Sequence, residues 1–135
     1  MPSSDSPLEF YVDLSLGRTV VEALRARGLV VRSELEVFGR RPEGVPDVEW
    51  LERCGLERWI VLSKDKRLRH DPAQQAMMVA HGVKAFVLTS GNLKASDQAD
   101  RFLANLRRIE GAAQPAGPFI YAVHSRRIEK LWSRE

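Results

Sequence analysis

Near its middle the chain reads Trp59-Ile60-Val61-Leu62-Ser63-Lys64-Asp65. The apolar run from Trp59 to Leu62 is short and continuous, which is typical of a central parallel strand that is buried on both faces. Asp65 lies just past the end of this strand. Ligands of open α/β sheets bind in the crevice beyond the carboxyl ends of the strands. Asp65 is therefore predicted to serve chemistry more than folding.

Two other aspartates stand in similar settings nearer the N-terminus. Asp13 ends the stretch Leu8 to Asp13, which predicts a first strand, and Asp47 opens a predicted helix after the loop Arg40 to Pro46. Right-handed crossovers place the loops that follow parallel strands on one common edge of the sheet. The carboxylates of Asp13 and Asp65 should meet at that edge, and Asp47 can reach it. Three such acids predict a site for Mg²⁺ or Mn²⁺.

Strands and helices alternate along the chain, which predicts an α/β fold with a mostly parallel central sheet and helices on both faces, a three-layer α/β/α sandwich. The other predicted strands are Leu29 to Val31 with an extension to Val37, Lys84 to Leu88, and a C-terminal β-hairpin of Phe119 to Val123 and Ile128 to Trp132. Residues 1–7 are predicted to be a mobile N-terminal tail. Residues 8–135 are predicted to form one domain, because a chain of 135 residues suffices for one compact core.

Two helices can be delimited from local signals. The segment Asp71-Pro72-Ala73-Gln74 has an acid at the N-cap and a proline at the first helical position, and its helix should stop at Gly82. A later helix is predicted from an apolar stripe of Ala99, Phe102, Leu103, Leu106 and Ile109. Asp71 is interpreted as a helix cap alone.

Composition narrows the class of protein. The chain is 44% apolar and 29% charged, which is typical of a globular protein, and it lacks a signal peptide or a run long enough to span a bilayer. The lone Cys54 cannot form an intrachain disulfide, which fits a reducing, cytoplasmic location. No membrane contact is predicted, because no apolar run is long enough. The net charge is only +3, but the pI of about 9.3 permits a polyanionic partner.

Basic residues crowd the turn around Asp65. Four cations stand there, Lys64, Lys66, Arg67 and Arg69, and they are predicted to hold the phosphates of a nucleic acid. A solvated charged face is the plain alternative. The three histidines lack the spacing of a zinc site, and no glycine-rich phosphate loop of the Walker or dinucleotide kind is present.

Each acid also has a purely structural interpretation. Asp47 can be an N-cap for its helix, since aspartate is among the best N-cap residues. Asp13 can form an ion pair with Arg18, and Asp65 can form surface salt bridges in its basic turn. These alternatives remain open from the residues alone.

Three segments together resemble the PIN-like domain family of the VapC type. They are Phe10-Tyr11-Val12-Asp13-Leu14-Ser15-Leu16-Gly17-Arg18, Pro46-Asp47-Val48-Glu49-Trp50-Leu51 and Trp59-Ile60-Val61-Leu62-Ser63-Lys64-Asp65-Lys66-Arg67. The resemblance runs from about Phe10 to Phe119. It implies a Mg²⁺- or Mn²⁺-dependent ribonuclease, a hydrolase of RNA phosphodiester bonds that serves as the toxin of a type II toxin–antitoxin pair. It implies Asp13, Asp47 and Asp65 as metal-binding catalytic residues.

The chain departs from the family pattern at a fourth acid. The pattern has a glutamate between the first two aspartates, and here Glu34, Glu36 and Glu43 are candidates with no motif to choose among them. Glu49 is a further candidate metal ligand. Gln74 and Gln75 stand where similar proteins often carry a glutamate.

The implied partners are RNA, a cognate antitoxin protein and a second copy of the chain in a homodimer. Arg18 and Asn92 are added to the four cations of the basic turn as candidate RNA contacts. The rival hypothesis is a PIN-like module that binds RNA or protein without cutting. A phosphoacceptor receiver domain is disfavoured, because it needs a paired acid where the chain has Leu14.

Overall fold

The computed structural model describes residues 8–133, so the predicted tail of residues 1–7 lies outside the described residues. Six strands and seven helices are present in this range. In chain order they are β1 Glu9–Val12, α1 Arg18–Ala26, β2 Val30–Ser33, α2 Glu34–Phe38, α3 Asp47–Glu57, β3 Ile60–Ser63, α4 Arg67–His70, α5 Pro72–His81, β4 Lys84–Val87, α6 Ala95–Ala104, α7 Leu106–Ala112, β5 Phe119–Val123 and β6 Ile128–Ser133.

The strands form one sheet in the order β2-β1-β3-β4-β5-β6. All neighbours are parallel except β5 and β6, which form the predicted antiparallel hairpin. The prediction of an α/β fold with a mostly parallel sheet is thus confirmed. The chain turns to opposite sides after β1 and β3, and such a switch point opens a crevice at the carboxyl ends of the two strands. We use the term carboxyl edge for the end of the sheet at which these parallel strands have their carboxyl ends.

Two apolar layers cover the two faces of the sheet. Successive strand residues point to opposite faces. Phe10 and Val12 of β1 therefore pack with α1, α6 and α7. Tyr11 instead packs with α3, α4 and α5, and its ring stacks on Trp50 and Trp59 at centroid distances of 5.6 and 5.9 Å. The helices on both faces confirm the sandwich.

The predicted extension of the second strand to Val37 is wrong. Strand β2 ends at Ser33, whose side chain accepts a hydrogen bond from the backbone N–H of Glu36 while the Glu36 carboxylate accepts one from the backbone N–H of Ser33. This reciprocal capping box starts α2 instead of prolonging the strand.

The later apolar stripe belongs to two helices rather than one. Asn105 separates α6 from α7 and is fully buried. Its side-chain amide donates to the carbonyl of Arg101 at 2.9 Å and to that of His124 at 2.7 Å. Because a buried amide needs partners, this side chain fixes the break and ties it to the end of β5.

The helix from Asp71 is confirmed at both ends. The Asp71 carboxylate accepts the backbone N–H of Ala73 at 2.9 Å, and Gly82 ends the helix with φ of 65°.

Among residues 8–133, no helix combines the length and the apolar character that crossing a bilayer requires.

Candidate functional site

A cleft of about 850 Å³ opens at the carboxyl edge, between the loop after β1, the start of α2 and the loop before α3. We call this cleft the acid pocket. Six acids line it, namely Asp13, Glu34, Glu43, Asp47, Glu49 and Asp65. All three aspartates predicted from the sequence are therefore brought to one cleft. Three arginines share its walls, namely Arg40, Arg41 and Arg67.

Asp13 lies deepest, with 5% of its surface exposed. Ser63 Oγ donates to its Oδ2 at 2.6 Å, the backbone N–H of Ser15 donates to its Oδ1 at 2.8 Å, and Ser15 Oγ also donates to Oδ1. Burial raises the pKa of Asp13 above its ordinary value, although these hydrogen bonds oppose the rise. The structural alternative of an ion pair with Arg18 does not occur, because Arg18 is exposed and pairs with Glu22 at 3.6 Å.

Two serines join the loops that carry Asp13 and Asp65. Ser63 Oγ, which donates to Asp13, also accepts the backbone N–H of Asp65 at 2.9 Å. Ser15 Oγ accepts the backbone N–H of Lys64 at 3.0 Å. These contacts link the ends of the two central strands β1 and β3. The loops that carry the two acids are therefore held rigidly beside each other.

Of the three glutamates that the sequence left open for a fourth acid, Glu34 and Glu43 line the acid pocket, and Glu34 is the buried one. It is 6% exposed, and Tyr11 donates its phenolic hydroxyl to Glu34 Oε1 at 2.9 Å. Burial raises the pKa of Glu34, and the charges of Asp13 and Asp47 raise it further. Glu36, by contrast, is held outside the acid pocket by an ion pair with Arg25. The capping box around Ser33 is the signal that could have placed Glu34 at the first position of a helix.

The structural alternative of Asp47 as an N-cap does not occur. Pro46 occupies the N-cap position of α3, and its helix has no side-chain cap. Trp50 Nε1 donates to Asp47 Oδ1 at 3.1 Å, and Gln74 Nε2 donates to Oδ2 at 2.6 Å. The Oε1 atom of Gln74 is buried without a hydrogen-bond partner among residues 8–133. Asp47 is therefore oriented by two neighbouring side chains.

Asp65 does form the salt bridge considered for it. Arg67 Nη2 lies 2.7 Å from Asp65 Oδ2, and the backbone N–H of Arg67 donates to Oδ1 at 2.9 Å. The hydrogen bonds from Arg67 lower the pKa of Asp65. Arg67 Nη1 also lies 3.6 Å from Asp47 Oδ2. One guanidinium thus contacts two predicted metal ligands.

The other predicted site residues divide between the wall of the pocket and the surface outside it. Glu49 lines the wall, where both of its oxygens accept from Arg41 at 2.8 and 2.9 Å. Arg67 alone of the predicted RNA contacts lines the cleft, and the others, Lys64, Lys66, Arg69, Arg18 and Asn92, do not. Sequence reasoning missed Arg40 and Arg41, which stand in a loop without a helical or strand pattern.

The donor chemistry of the acid pocket fits a hard divalent cation. Carboxylate oxygens are the ligands that Mg²⁺ prefers. Burial is the main cause of the raised pKa of Asp13 and Glu34, and neighbouring acidic charges add to it, so a bound cation would favour the ionised form of both carboxyls. In residues 8–133 no three acidic, histidine or cysteine side chains form a ready-made cage. Mg²⁺ rarely uses such cages, because it keeps several waters and takes one or two carboxylates plus substrate phosphates.

Comparison with known proteins agrees with this geometry. Residues 8–90 match the family described as "PIN like domain". The chain is 30% identical over 123 residues to a Mycobacterium tuberculosis protein named "Putative ribonuclease VapC45", and the match covers 90% of this chain and 89% of that protein. No solved structure gives a significant match. On the family match and this relative, the chain belongs to the PIN-like domain family.

Proposed function

We propose that this protein is a Mg²⁺- or Mn²⁺-dependent endoribonuclease that hydrolyses RNA phosphodiester bonds. The observation that carries the proposal is the buried Asp13, which two serine hydroxyls hold beside Glu34 in an open cleft. A buried carboxylate with hydroxyl partners but no basic partner is costly to keep ionised, and a bound cation would offset that cost. The name of the relative as a ribonuclease supports the same activity.

Each acid has a role in this proposal. Asp13, Glu34, Asp47 and Asp65 would hold the cation, with Glu49 as an outer ligand when it leaves Arg41. A divalent ion bound there supplies a water nucleophile of lowered pKa and offsets charge on the phosphate. Ser15 and Ser63 orient Asp13, and Gln74 and Trp50 orient Asp47, so the ligands need little rearrangement.

The basic residues around the cleft would position the RNA. Lys64 and Lys66 lie in the turn after β3, Arg69 lies in α4, and Arg40 and Arg41 line the pocket. Contacts from lysine and arginine to phosphates fix the register of a nucleic acid without reading its sequence. Arg18 and Asn92, which lie away from the acid pocket, would extend this track.

The protein partners follow from the family. We infer a cytoplasmic toxin of a type II toxin–antitoxin pair, with a cognate antitoxin protein as its inhibitor and a second copy of the chain as a homodimer partner. The VapC designation of the relative supports this assignment. Co-expression with the product of the adjacent reading frame, followed by size-exclusion chromatography, tests both partners.

The activity is tested by RNA cleavage with and without Mn²⁺. We expect cleavage by the wild type to require Mn²⁺ and to fall at least ~100-fold in Asp13→Asn and Asp65→Asn, because each variant loses a charged ligand at the reacting phosphate. Asp71→Asn is the matched control, since it makes the same chemical change at a helix cap outside the pocket and asparagine caps as well as aspartate.

Circular dichroism should show all three variants folded. Equal cleavage by the wild type, Asp13→Asn and Asp65→Asn would contradict the assignment. RNA binding that needs no divalent ion and leads to no cleavage would favour the binding module instead.

A further inference from the structure

Arg67 holds a position that the proposed nuclease does not explain. Among residues 8–133 it is the one basic residue in contact with both Asp47 and Asp65, at 3.6 and 2.7 Å. Its guanidinium therefore stands over the acids that are proposed to bind a divalent cation. Two positive groups cannot share the same carboxylate oxygens without repulsion.

The acids are held by other groups, whereas among residues 8–133 the Arg67 guanidinium is held only by the acids, with its Nε and Nη2 at 3.1 and 2.7 Å from Asp65 Oδ2. Asp47 is held by Trp50 and Gln74, and the backbone of Asp65 is held by the buried Ser63 hydroxyl. The Arg67 side chain is 62% exposed, against 29% for Asp47 and 19% for Asp65. Water screens the ion pair of so exposed an arginine, and the side chain loses entropy when it is held, so a competing cation can replace it. When a cation binds to these two acids, the Arg67 side chain is therefore expected to move while the carboxylates stay in place.

We propose that Arg67 is an internal counter-ion of the acid pocket: it neutralises Asp47 and Asp65 in the metal-free protein, a divalent cation displaces it, and the freed guanidinium then binds the scissile phosphate. This inference rests on the proposed function of the same pocket. It assigns to one side chain two successive partners, a carboxylate pair and then an RNA phosphate.

The local structure suits such an exchange. The backbone N–H of Arg67 donates to Asp65 Oδ1 at 2.9 Å, so the residue stays attached to the turn when its side chain rotates. Its side chain also lines the acid pocket, unlike those of Lys64, Lys66 and Arg69. A planar guanidinium matches carboxylate and phosphate geometry equally well, because both accept two parallel N–H bonds.

The first test measures Mn²⁺ binding to the full chain by isothermal titration calorimetry without RNA. Arg67→Gln should bind Mn²⁺ about 3- to 10-fold more tightly than the wild type, since it has no ion pairs to break and no positive charge to displace. Lys66→Gln is the matched control: it removes the same charge from the same turn, and among residues 8–133 Lys66 makes no ion pair. Its Mn²⁺ affinity should change less than about 2-fold.

The second test measures RNA cleavage at saturating Mn²⁺. Arg67→Gln should cleave at least ~10-fold more slowly than the wild type despite its tighter metal binding. Arg67→Lys should recover part of the rate, because it restores the positive charge but not the two parallel N–H donors of the guanidinium. The opposite signs of the two effects are the signature of the exchange, because a merely structural role would weaken both.

Three outcomes would overturn the inference. Weaker or unchanged Mn²⁺ binding by Arg67→Gln, in a protein that binds Mn²⁺ and cuts RNA as wild type, contradicts the counter-ion role and leaves the proposed function intact. An unchanged cleavage rate contradicts the phosphate contact. Failure of the wild type itself to bind Mn²⁺ contradicts both the inference and the proposed function.

Discussion

The buried carboxyl of Glu34 shows how one side chain can be costly for folding and useful for function. Its partner Tyr11 is fully buried between Trp50 and Trp59, so the hydroxyl that reaches Glu34 is held by the core. Burial and two neighbouring acids raise the pKa of Glu34, which means that its ionised form destabilises the folded protein. A residue kept at such a position is expected to serve a ligand rather than stability.

Glu34→Gln should therefore stabilise the metal-free protein at pH 7. The raised pKa means that the folded state holds the carboxyl proton more tightly than the unfolded state does, so the cost of ionisation is complete above the raised pKa. The free energy of unfolding of the variant should be about 1 kcal/mol higher than that of the wild type, which raises Tm by about 3–4 °C. This gain should vanish as the pH falls below 4.5, the ordinary pKa of a glutamate carboxyl. Calorimetry from pH 4 to pH 8 measures it, and a gain that persists at pH 4 would contradict this account.

At the scale of elements, the short helix α2 decides which acid faces the pocket. It has only five residues, too few to be stable by itself, and its capping box with Ser33 starts it directly after β2. The first residue of the helix is then Glu34, which points back to the sheet. The cap thus sets the orientation of a proposed metal ligand.

Ser33→Ala should destabilise the protein by about 1 kcal/mol, because the backbone N–H of Glu36 loses its acceptor. The loss should appear as a fall in Tm of about 3–4 °C, measured by thermal denaturation. Ser33→Asn is the matched control, since asparagine is as good an N-cap as serine. An equal loss in both variants would show that packing at this position matters more than the cap.

Elements with a continuous local pattern could be predicted from the sequence, and those fixed by distant contacts could not. Helix α5 carries its cap, its proline and its terminal glycine within the sequence, and both ends were predicted correctly. The break at Asn105 depends on the carbonyl of His124 in another element, which no local pattern reveals. The end of β2 could be predicted only in part, because the local signals conflict. β-Branched Val37 favours a strand, while the Ser33 and Glu36 pair favours the start of a helix.

At the scale of the whole molecule, one sheet brings together acids from four separate segments. The central pairing of β1 with β3 sets Phe10 opposite Ile60 and Val12 opposite Leu62, so the loops that carry Asp13 and Asp65 leave the sheet side by side. The two apolar layers on either face fix this frame, and the carboxylates gather at one end of it. A ligand that neutralises them should stabilise the fold as a whole.

Mn²⁺ should therefore raise the Tm of the wild type. A ligand at 100 times its Kd stabilises the folded state by about 2.7 kcal/mol, or roughly 10 °C for a chain of this size. Differential scanning fluorimetry should show this rise, its reversal by EDTA, its absence in Asp13→Asn and its presence in Asp71→Asn. A rise of equal size in Asp13→Asn would place the bound ion elsewhere.

The topology explains how much of the site was visible in the sequence. Asp13 and Asp65 could be predicted because each follows an apolar strand, and parallel strands end at one edge. The sequence could not separate Glu34 from Glu36, since that choice depends on which face of a short helix meets the Tyr11 hydroxyl, and Glu43 also lines the pocket from an exposed turn. The partners of Asp47 were also hidden, because Gln74 lies 27 positions away and belongs to a different helix.

The contact between Asp13 and Ser63 also sets an order of events during protein synthesis. The two residues are 50 positions apart. A ribosome adds about 5–20 residues each second, so roughly 3–10 s separate the appearance of the first from that of the second. A nascent chain that stops before Ser63 has Asp13 and Ser15, but it lacks the second hydroxyl that orients Asp13 and the strand β3 that lies beside it. The proposed nuclease would thus stay harmless to the message being translated until about half of its own chain has been made.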